Sequence, residues 1–299
     1  MYSFPMSRSL REIFSMLETS PYTLSDASSS DGTSSGASGL GIPEPGLSGF
    51  FDASPAVGEL FAMSQTGTAA GKAGQPNQED VAVIDGFYSS TGINFSCLPA
   101  SACRLHELSV NAFDALVHAW MSELLLEGEL LRFGRKVLAA GSRTDAERIA
   151  SNRSDGDVRL ILDTANKVWH EIDRFRGLLR FSPDAPGRYI AFCGPDHFIL
   201  PAMGGHFSQR FGSVPWAIVD EKRSLCLSCF SGSPPELFAL QSVFPENSNK
   251  SPGKDQWEAL WLNYHKTINN ESRNNPALQR QFMPKRYWKN LPEMQFANR

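Results

Sequence analysis

The chain has 299 residues, a formal net charge of −4, and 41% hydrophobic residues. These values allow one large domain or two ordinary domains with a sizeable buried core. Its five cysteines are irregularly spaced and do not fit a secreted disulfide framework. Because the sequence shows no apolar run of about 18 residues and no secretory signal pattern, we expect a cytoplasmic protein without a membrane span.

The charge is distributed unevenly along the chain. Residues 1–80 contain three basic and nine acidic residues, a net charge of −6, whereas residues 250–299 contain nine basic and four acidic residues, a net charge of +5. This asymmetry indicates that the C-terminal part contacts something anionic.

The N-terminal region is rich in Ser, Gly and Pro, most clearly in TSPYTLSDASSSDGTSSGASGLGIPEPGLSG at residues 19–49. Such a segment cannot bury enough apolar surface to offset the entropy of ordering it. We therefore predict that residues 1–80 are mostly disordered, with one short helix over Ser9–Leu17. A single folded domain is expected over residues 81–299.

Helical periodicity begins soon after this boundary. Ser109 can cap a helix whose apolar residues recur at three- and four-residue spacing as far as Leu125. Gly128 is expected to interrupt that helix, and ELLRFGRKVLAAG forms a second, shorter one ending at Gly141.

A longer helix is predicted next. SDGD at residues 154–157 supplies N-cap chemistry, and apolar residues then follow one helical face from Val158 to Phe175. Gly177 suits the position just after the helix, where glycine is preferred.

The pattern then changes to strands. LLRFS and RYIAFC flank the turn-rich PDAPG and predict a β-hairpin, and PWAIVD and SLCLSCF around EKR predict a second one. A helix over His197–Phe211 separates the hairpins, and DQWEALWLNYHKTI returns to helical spacing. Because repeated strand–helix–strand units are absent, we predict an α+β fold, with a helical bundle portion and a small antiparallel sheet from the two hairpins.

The C-terminal segment NPALQRQFMPKRYWKNLPE, residues 275–293, combines basic and aromatic residues with three prolines. Asn275 and Pro276 suit the start of a helix that ends near Met283, and Pro284 begins another turn. Lys and Arg can neutralise phosphates, and aromatic rings can stack on unpaired bases. The alternative is that the segment closes the core while its charges are solvated. The candidate nucleic-acid-binding residues are Arg280, Lys285, Arg286, Tyr287, Trp288 and Lys289.

Candidate catalytic residues lie in GPDHFILPAMGGHFSQRF, residues 194–211. Asp196 and His197 precede the predicted helix, and His206 and Arg210 are four residues apart on it. A His/Asp pair can perform acid–base chemistry, and two histidines with an aspartate can hold a metal. The alternative is that Asp196 caps the helix and both histidines make structural hydrogen bonds.

Two further groups give weaker signals. Cys226 and Cys229 have redox or metal spacing, but residues three apart in a strand face opposite sides, and no second cysteine pair completes a tetrahedral site. We therefore predict no metal site and no cofactor. The charged turn between the last two predicted strands is expected to be a solvated hairpin tip. Its residues are Asp220, Glu221, Lys222 and Arg223.

Three stretches together resemble a bacterial family defined by a domain of unknown function, DUF4130, whose members are described as DNA-metabolism or DNA-repair proteins. The stretches are GPDHFILPAMGGHFSQRF, PWAIVDEKRSLCL and NNPALQRQFMPKRYWKNLPE, and the resemblance covers residues 109–293. Members are commonly encoded next to a radical-SAM DNA-repair protein, and longer proteins fuse the domain to a uracil-DNA-glycosylase-like domain. The residues that match the family motifs are Asp196, His197, Pro201, His206, Phe207, Arg210, Asp220, Glu221, Lys222 and Arg223.

The resemblance implies a nucleic-acid-associated accessory protein that acts with such a repair partner and with DNA. One alternative is a protein-binding module for that partner without DNA contact. Another is a nucleic-acid-acting enzyme that uses the candidate catalytic residues. Two departures from the family pattern bear on these hypotheses. VIDGFYSSTGINF only faintly resembles the usual start of the domain, and Asp173 stands where members often have a histidine.

Overall fold

The computed structural model describes residues 8–18, 80–81, 83–84, 95, 98–185, 187–230, 233–239, 256–268 and 270–296. These residues form an α+β fold, as predicted, with most helices preceding a five-stranded sheet. The disorder predicted over residues 1–80 falls mostly outside the described ranges. Within those ranges, no helix has the length and apolar character needed to cross a membrane.

The helices are α1 (Leu10–Glu18), α2 (Ala100–Leu108), α3 (Val110–Trp120), α4 (Glu127–Leu138), α5 (Arg143–Ala150), α6 (Gly156–Leu178), α7 (Leu200–Phe211), α8 (Gln256–Ile268), α9 (Pro276–Phe282) and α10 (Pro292–Phe296). Short 3-10 helices span Glu271–Arg273 and Lys285–Asn290. The strands are β1 (Phe181–Ala185), β2 (Arg188–Cys193), β3 (Trp216–Asp220), β4 (Leu225–Cys229) and β5 (Glu236–Ala239).

Helix α1 confirms the predicted N-terminal helix and belongs to the core. Ser9 and Glu12 form a capping box, in which each side chain accepts a hydrogen bond from the other residue's backbone N–H, at 3.1 and 2.7 Å. The ring of Phe14 stacks on that of Phe113 in α3, with centroids 5.6 Å apart. The folded unit therefore includes α1, ahead of its predicted start at Val81.

The predicted N-caps of α3 and α6 are confirmed, whereas the two glycines predicted to interrupt or follow a helix both lie inside one. Ser109 accepts a hydrogen bond from Ala112 N, and Asp155 caps α6. Gly128 lies inside α4, because a glycine costs only about 1 kcal/mol in a helix and does not end one. Helix α6 continues through Gly177, which lacks the positive φ that a left-handed cap requires, and the chain leaves the helix extended.

The sheet has the strand order β1-β2-β3-β4-β5. The two predicted hairpins are present, β1 with β2 and β3 with β4. Strand β5, which the sequence did not suggest, pairs with β4. Both hairpins are antiparallel, as predicted, but the sheet as a whole is mixed, because the crossover through α7 makes β3 parallel to β2.

Parallel pairing places the carboxyl ends of β2 and β3 side by side, with Cys193 opposite Asp220. The segment after β2 begins at Gly194, and the turn after β3 begins at Glu221. Ligands of open α/β sheets commonly bind outside the carboxyl ends of parallel strands. This edge of the sheet therefore positions the candidate site.

The C-terminal segment folds back onto the body of the protein. Asn275 caps α9 through a hydrogen bond from Leu278 N at 3.0 Å, and the turn after Pro284 is the 3-10 helix, both as predicted. Tyr287 is buried in the main core, and Leu291 is also buried. The segment therefore closes the core, which was the alternative to a nucleic-acid contact. Its side chains that point away from the core can still contact other molecules.

Candidate functional site

A polar cluster lies at the carboxyl ends of β2 and β3. It combines the segment after β2, the turn after β3, the C-terminal 3-10 helix and two glutamates that precede them in the chain. Its members are Glu123, Glu171, Asp196, His197, Asp220, Glu221, Lys222, Arg223, Arg286, Tyr287 and Lys289. All three stretches that carry the family resemblance contribute to it, although they lie far apart in the sequence.

Glu171 is the centre of one half of the polar cluster and is 2% exposed. Its two carboxylate oxygens accept the backbone N–H groups of Asp196 and His197, at 2.8 and 2.7 Å. The hydroxyl of Tyr287 also donates to Glu171. Burial, and then the Glu171 carboxylate, raise the pKa of Tyr287 well above its usual value, so this hydroxyl stays protonated.

Glu171 was missed by the sequence analysis, although a signal was present. It lies three residues after Val168 and four before Phe175, both of which belong to the buried stripe of α6. A glutamate in such a stripe is rarely buried unless it is paired. At this position of the stripe the side chain does not pack as an apolar residue would. Its carboxylate instead accepts hydrogen bonds that hold the segment after β2.

Arg223 is the centre of the other half. Its guanidinium donates to the Asp220 carboxylate at 2.6 Å, to the carbonyl of Pro195 at 3.2 Å and to that of Asp196 at 2.7 Å. It also forms an ion pair with Glu123. Burial lowers the pKa of Arg223, but the carboxylates outweigh burial and raise it overall, so the guanidinium stays charged.

The charged turn therefore differs from the solvated hairpin tip that the sequence suggested. Asp220 and Arg223 are buried, whereas Glu221 and Lys222 are exposed. The Asp220 carboxylate also accepts the backbone N–H groups of Lys222 and Arg223, at 3.0 and 3.2 Å. The turn is thus folded around a buried ion pair, and only its tip meets solvent.

Two of the basic residues predicted to bind nucleic acid are paired with carboxylates in the polar cluster. Arg286 forms an ion pair of 2.6 Å with Asp196, and Lys289 forms one of 2.8 Å with Glu221. Tyr287 is buried, and the indole N–H of Trp288 donates to the carbonyl of Met283 at 2.9 Å. Arg286, Tyr287 and Lys289 therefore fasten the C-terminal segment to the rest of the polar cluster, whereas Trp288 bonds within the segment.

The four candidate catalytic residues separate into two pairs. Asp196 and His197 are in the polar cluster, whereas His206 and Arg210 lie further along α7. Among the described residues, no hydrogen bond or ion pair joins the second pair to the first. Since a helix rises 1.5 Å per residue, His206 lies about 9 Å along the axis from Leu200, where α7 begins.

Both candidate histidines favour the neutral form. Burial lowers the pKa of His197, against the opposing effect of Glu171 and other carboxylates. Its Nδ1 accepts the backbone N–H of Glu123 at 3.4 Å, so a neutral ring carries its proton on Nε2. Burial and the charges of Arg176 and Arg210 lower the pKa of His206. His197 thus offers only Nε2 to a ligand.

The two cysteines with redox or metal spacing lie in the core of the sheet. Cys226 and Cys229 are both buried in β4, and burial raises the pKa of the Cys226 thiol to about 12. Within the described part of the chain, no group of three or more His, Cys, Asp or Glu side chains could hold a metal ion.

A second feature, the terminal groove, lies outside the polar cluster. It is an open groove of about 480 Å³ formed by α8, α9 and the connection 270–275. Ile268, Leu278 and Phe282 supply apolar walls, and Arg273 supplies a charge. Phe282 is 63% exposed, which is unusual for a large aromatic side chain.

Four basic side chains of α8, α9 and the two 3-10 helices are exposed and form no ion pair with any described residue, and one of them, Arg273, lines the terminal groove. This set contains two of the predicted nucleic-acid contacts, Arg280 and Lys285, and two residues that the sequence analysis did not select, Lys266 and Arg273. The Lys285 ammonium lies 5.7 Å from the centre of the Trp288 ring. Lys285 is nevertheless exposed, so its charge remains accessible at the surface.

A family model described as a domain of unknown function, DUF4130, matches residues 131–293. The match includes the terminal groove and every member of the polar cluster except Glu123. No curated protein and no solved structure matches the chain.

Proposed function

The chain belongs to the DUF4130 family, and we propose that it is a DNA-metabolism or DNA-repair accessory protein that associates with nucleic acid. In this proposal it acts with a radical-SAM or uracil-glycosylase-type repair partner, as the family resemblance implies. The supporting observation is a set of four exposed cations in the C-terminal part, Lys266, Arg273, Arg280 and Lys285, that form no ion pair with any residue the structure describes.

Unpaired surface cations fit this proposal because they can neutralise phosphates without first breaking an ion pair. Residues 256–290 contain six basic and two acidic residues, a net charge of +4, in a chain whose overall charge is −4. An anionic polymer would be attracted to this end of the molecule and repelled from the acidic N-terminal residues. Arg286 and Lys289 contribute less, since their carboxylate partners offset their charge.

Charge reversal tests the proposal. Binding of the purified full chain to a fluorescent DNA oligonucleotide is measured by anisotropy over a series of salt concentrations. The variant Arg280→Glu/Lys285→Glu should bind more weakly, and its slope of log K against log salt should fall by about one for each phosphate that the variant no longer neutralises.

The matched control is Arg143→Glu/Lys167→Glu, which makes the same charge change at exposed positions of α5 and α6. It should bind nearly as well as the wild-type chain. An equal loss of DNA affinity in both variants would show that only the net charge of the chain matters. Absence of DNA binding by the wild-type chain at low salt would exclude the proposed function.

The exposed apolar surface of α8 and α9 favours a second candidate function, a docking module for a repair protein. Leu260, Tyr264 and Ile268 recur at four-residue spacing on α8 and are each more than half exposed. Contiguous apolar surface of this kind often marks a protein interface. Co-purification with a radical-SAM repair protein, with DNA binding contributed only by that protein, would favour this function.

A further inference from the structure

We infer that the terminal groove binds an unpaired nucleic-acid strand, with bases stacked on its apolar walls and phosphates held by its cations. This inference rests on the proposed nucleic-acid association and specifies its substrate class. It places the stacking surface at Phe282, and not at the buried Tyr287.

The exposed ring of Phe282 carries the first step of the argument. Phe282 lines the groove from α9 and is 63% exposed. An aromatic ring stacks on the face of any base, whatever its sequence. In a duplex those faces are covered by neighbouring base pairs, so rings on a protein surface can reach them only in an unpaired strand.

Amide side chains carry the second step. Asn274 and Gln279 line the groove beside the apolar walls, and their amides can both donate and accept hydrogen bonds. The Watson–Crick edges of unpaired bases present both kinds of partner. A purely apolar ligand would bind here at a cost in free energy, because the amides that it covers would lose their hydrogen bonds to water.

Charge carries the third step. Arg273 lines the groove, while Lys266 and Arg280 lie on the helices that form it. The described residues that line the groove include no aspartate or glutamate. A strand placed in the groove would therefore meet the Arg273 guanidinium on the lining, with Lys266 and Arg280 on the adjoining helices, which favours a nucleic acid over an ordinary apolar peptide.

The test compares a single-stranded oligonucleotide of about 20 nucleotides with the same sequence as a duplex, each labelled and titrated with the full chain at low salt. The wild-type chain should prefer the single strand. Phe282→Ala should weaken single-strand binding roughly tenfold or more, because it removes one stacking platform. It should change duplex binding little.

Trp169→Ala is the matched control, since Trp169 is an exposed aromatic residue on α6, outside the groove. It should leave both affinities within about twofold of the wild-type values. Circular dichroism spectra check that both variants are folded, which is the expected result because the substituted side chains are exposed.

Three results would overturn the inference. Equal binding of single strand and duplex, weakened by Arg280→Glu/Lys285→Glu but not by Phe282→Ala, would exclude the groove and leave the proposed function intact. Absence of binding to either oligonucleotide would exclude both. Loss of binding to a repair protein, but not to DNA, in Phe282→Ala would make the groove a protein-docking surface.

Discussion

The hydroxyl of Tyr287 donates a hydrogen bond to the carboxylate of Glu171, a residue 116 positions earlier in the chain. The same carboxylate accepts two backbone N–H groups from the segment after β2. One buried side chain therefore joins the long helix α6, the carboxyl end of a parallel strand and the C-terminal segment. A substitution of Glu171 or Tyr287 should therefore weaken the contacts among these three elements.

Glu171→Ala should lower the free energy of unfolding by roughly 3 kcal/mol or more, because it leaves buried donors unpaired. Tyr287→Phe removes one hydrogen bond to a charged group and should cost about 1.5–3 kcal/mol. Urea unfolding of the wild-type chain, the two single variants and the double variant measures both costs. The double variant should lose less than the sum of the single losses, and strict additivity would contradict a direct interaction.

Alkaline pH should destabilise the wild-type chain through Tyr287. Its pKa is raised in the folded state, so above pH of about 10 the unfolded chain releases a proton that the folded chain retains. The free energy of unfolding therefore falls as pH rises from that point. Tyr287→Phe lacks this contribution, and its stability should fall less between neutral pH and about pH 11. Parallel losses in the two proteins would be inconsistent with a raised pKa.

Breaking the buried ion pair of Asp220 and Arg223 should be severely destabilising. Both side chains are almost fully buried, so Arg223→Met leaves the Asp220 carboxylate without its counter-ion, at a cost of roughly 3–5 kcal/mol. Lys222→Met provides a control one position earlier, where the side chain reaches solvent and the cost should be about 1 kcal/mol or less. Thermal unfolding of the two variants distinguishes these costs, and similar midpoints would show that the pair adds little.

The C-terminal segment should contribute to stability through its buried side and not through its exposed side. Leu291 is buried, whereas Leu278 is 49% exposed in the terminal groove. Leu291→Ala should therefore cost about 2–4 kcal/mol, and Leu278→Ala less than about 1 kcal/mol. Urea unfolding of this matched pair measures the difference. Comparable small losses would mean that the segment is not part of the core.

Local patterns in the sequence were enough to identify the individual elements. Ser109, Asn275 and Pro276 were found as helix-start residues because capping depends on neighbours within one helical turn. The two hairpins were found because their strands and turns are contiguous in the sequence. The α+β class followed from the order of these elements.

The parallel pairing of β2 with β3 could not be found in this way. It depends on the path of the crossover through α7, and no short stretch of sequence contains that information. The same crossover brings the segment after β2 next to Asp220. The candidate site is therefore a consequence of topology, although most of its residues, Glu123 and Glu171 excepted, belong to recognisable motifs.

The sequence alone determined that the C-terminal segment is basic, aromatic and divided into two short helices by Pro284. Only the tertiary structure decided which of its side chains face solvent. Arg286 and Lys289 meet carboxylates that are distant in sequence, and Tyr287 is buried against α6. Arg280, Phe282 and Lys285 stay exposed, because burial and ion pairing depend on long-range contacts that composition does not encode.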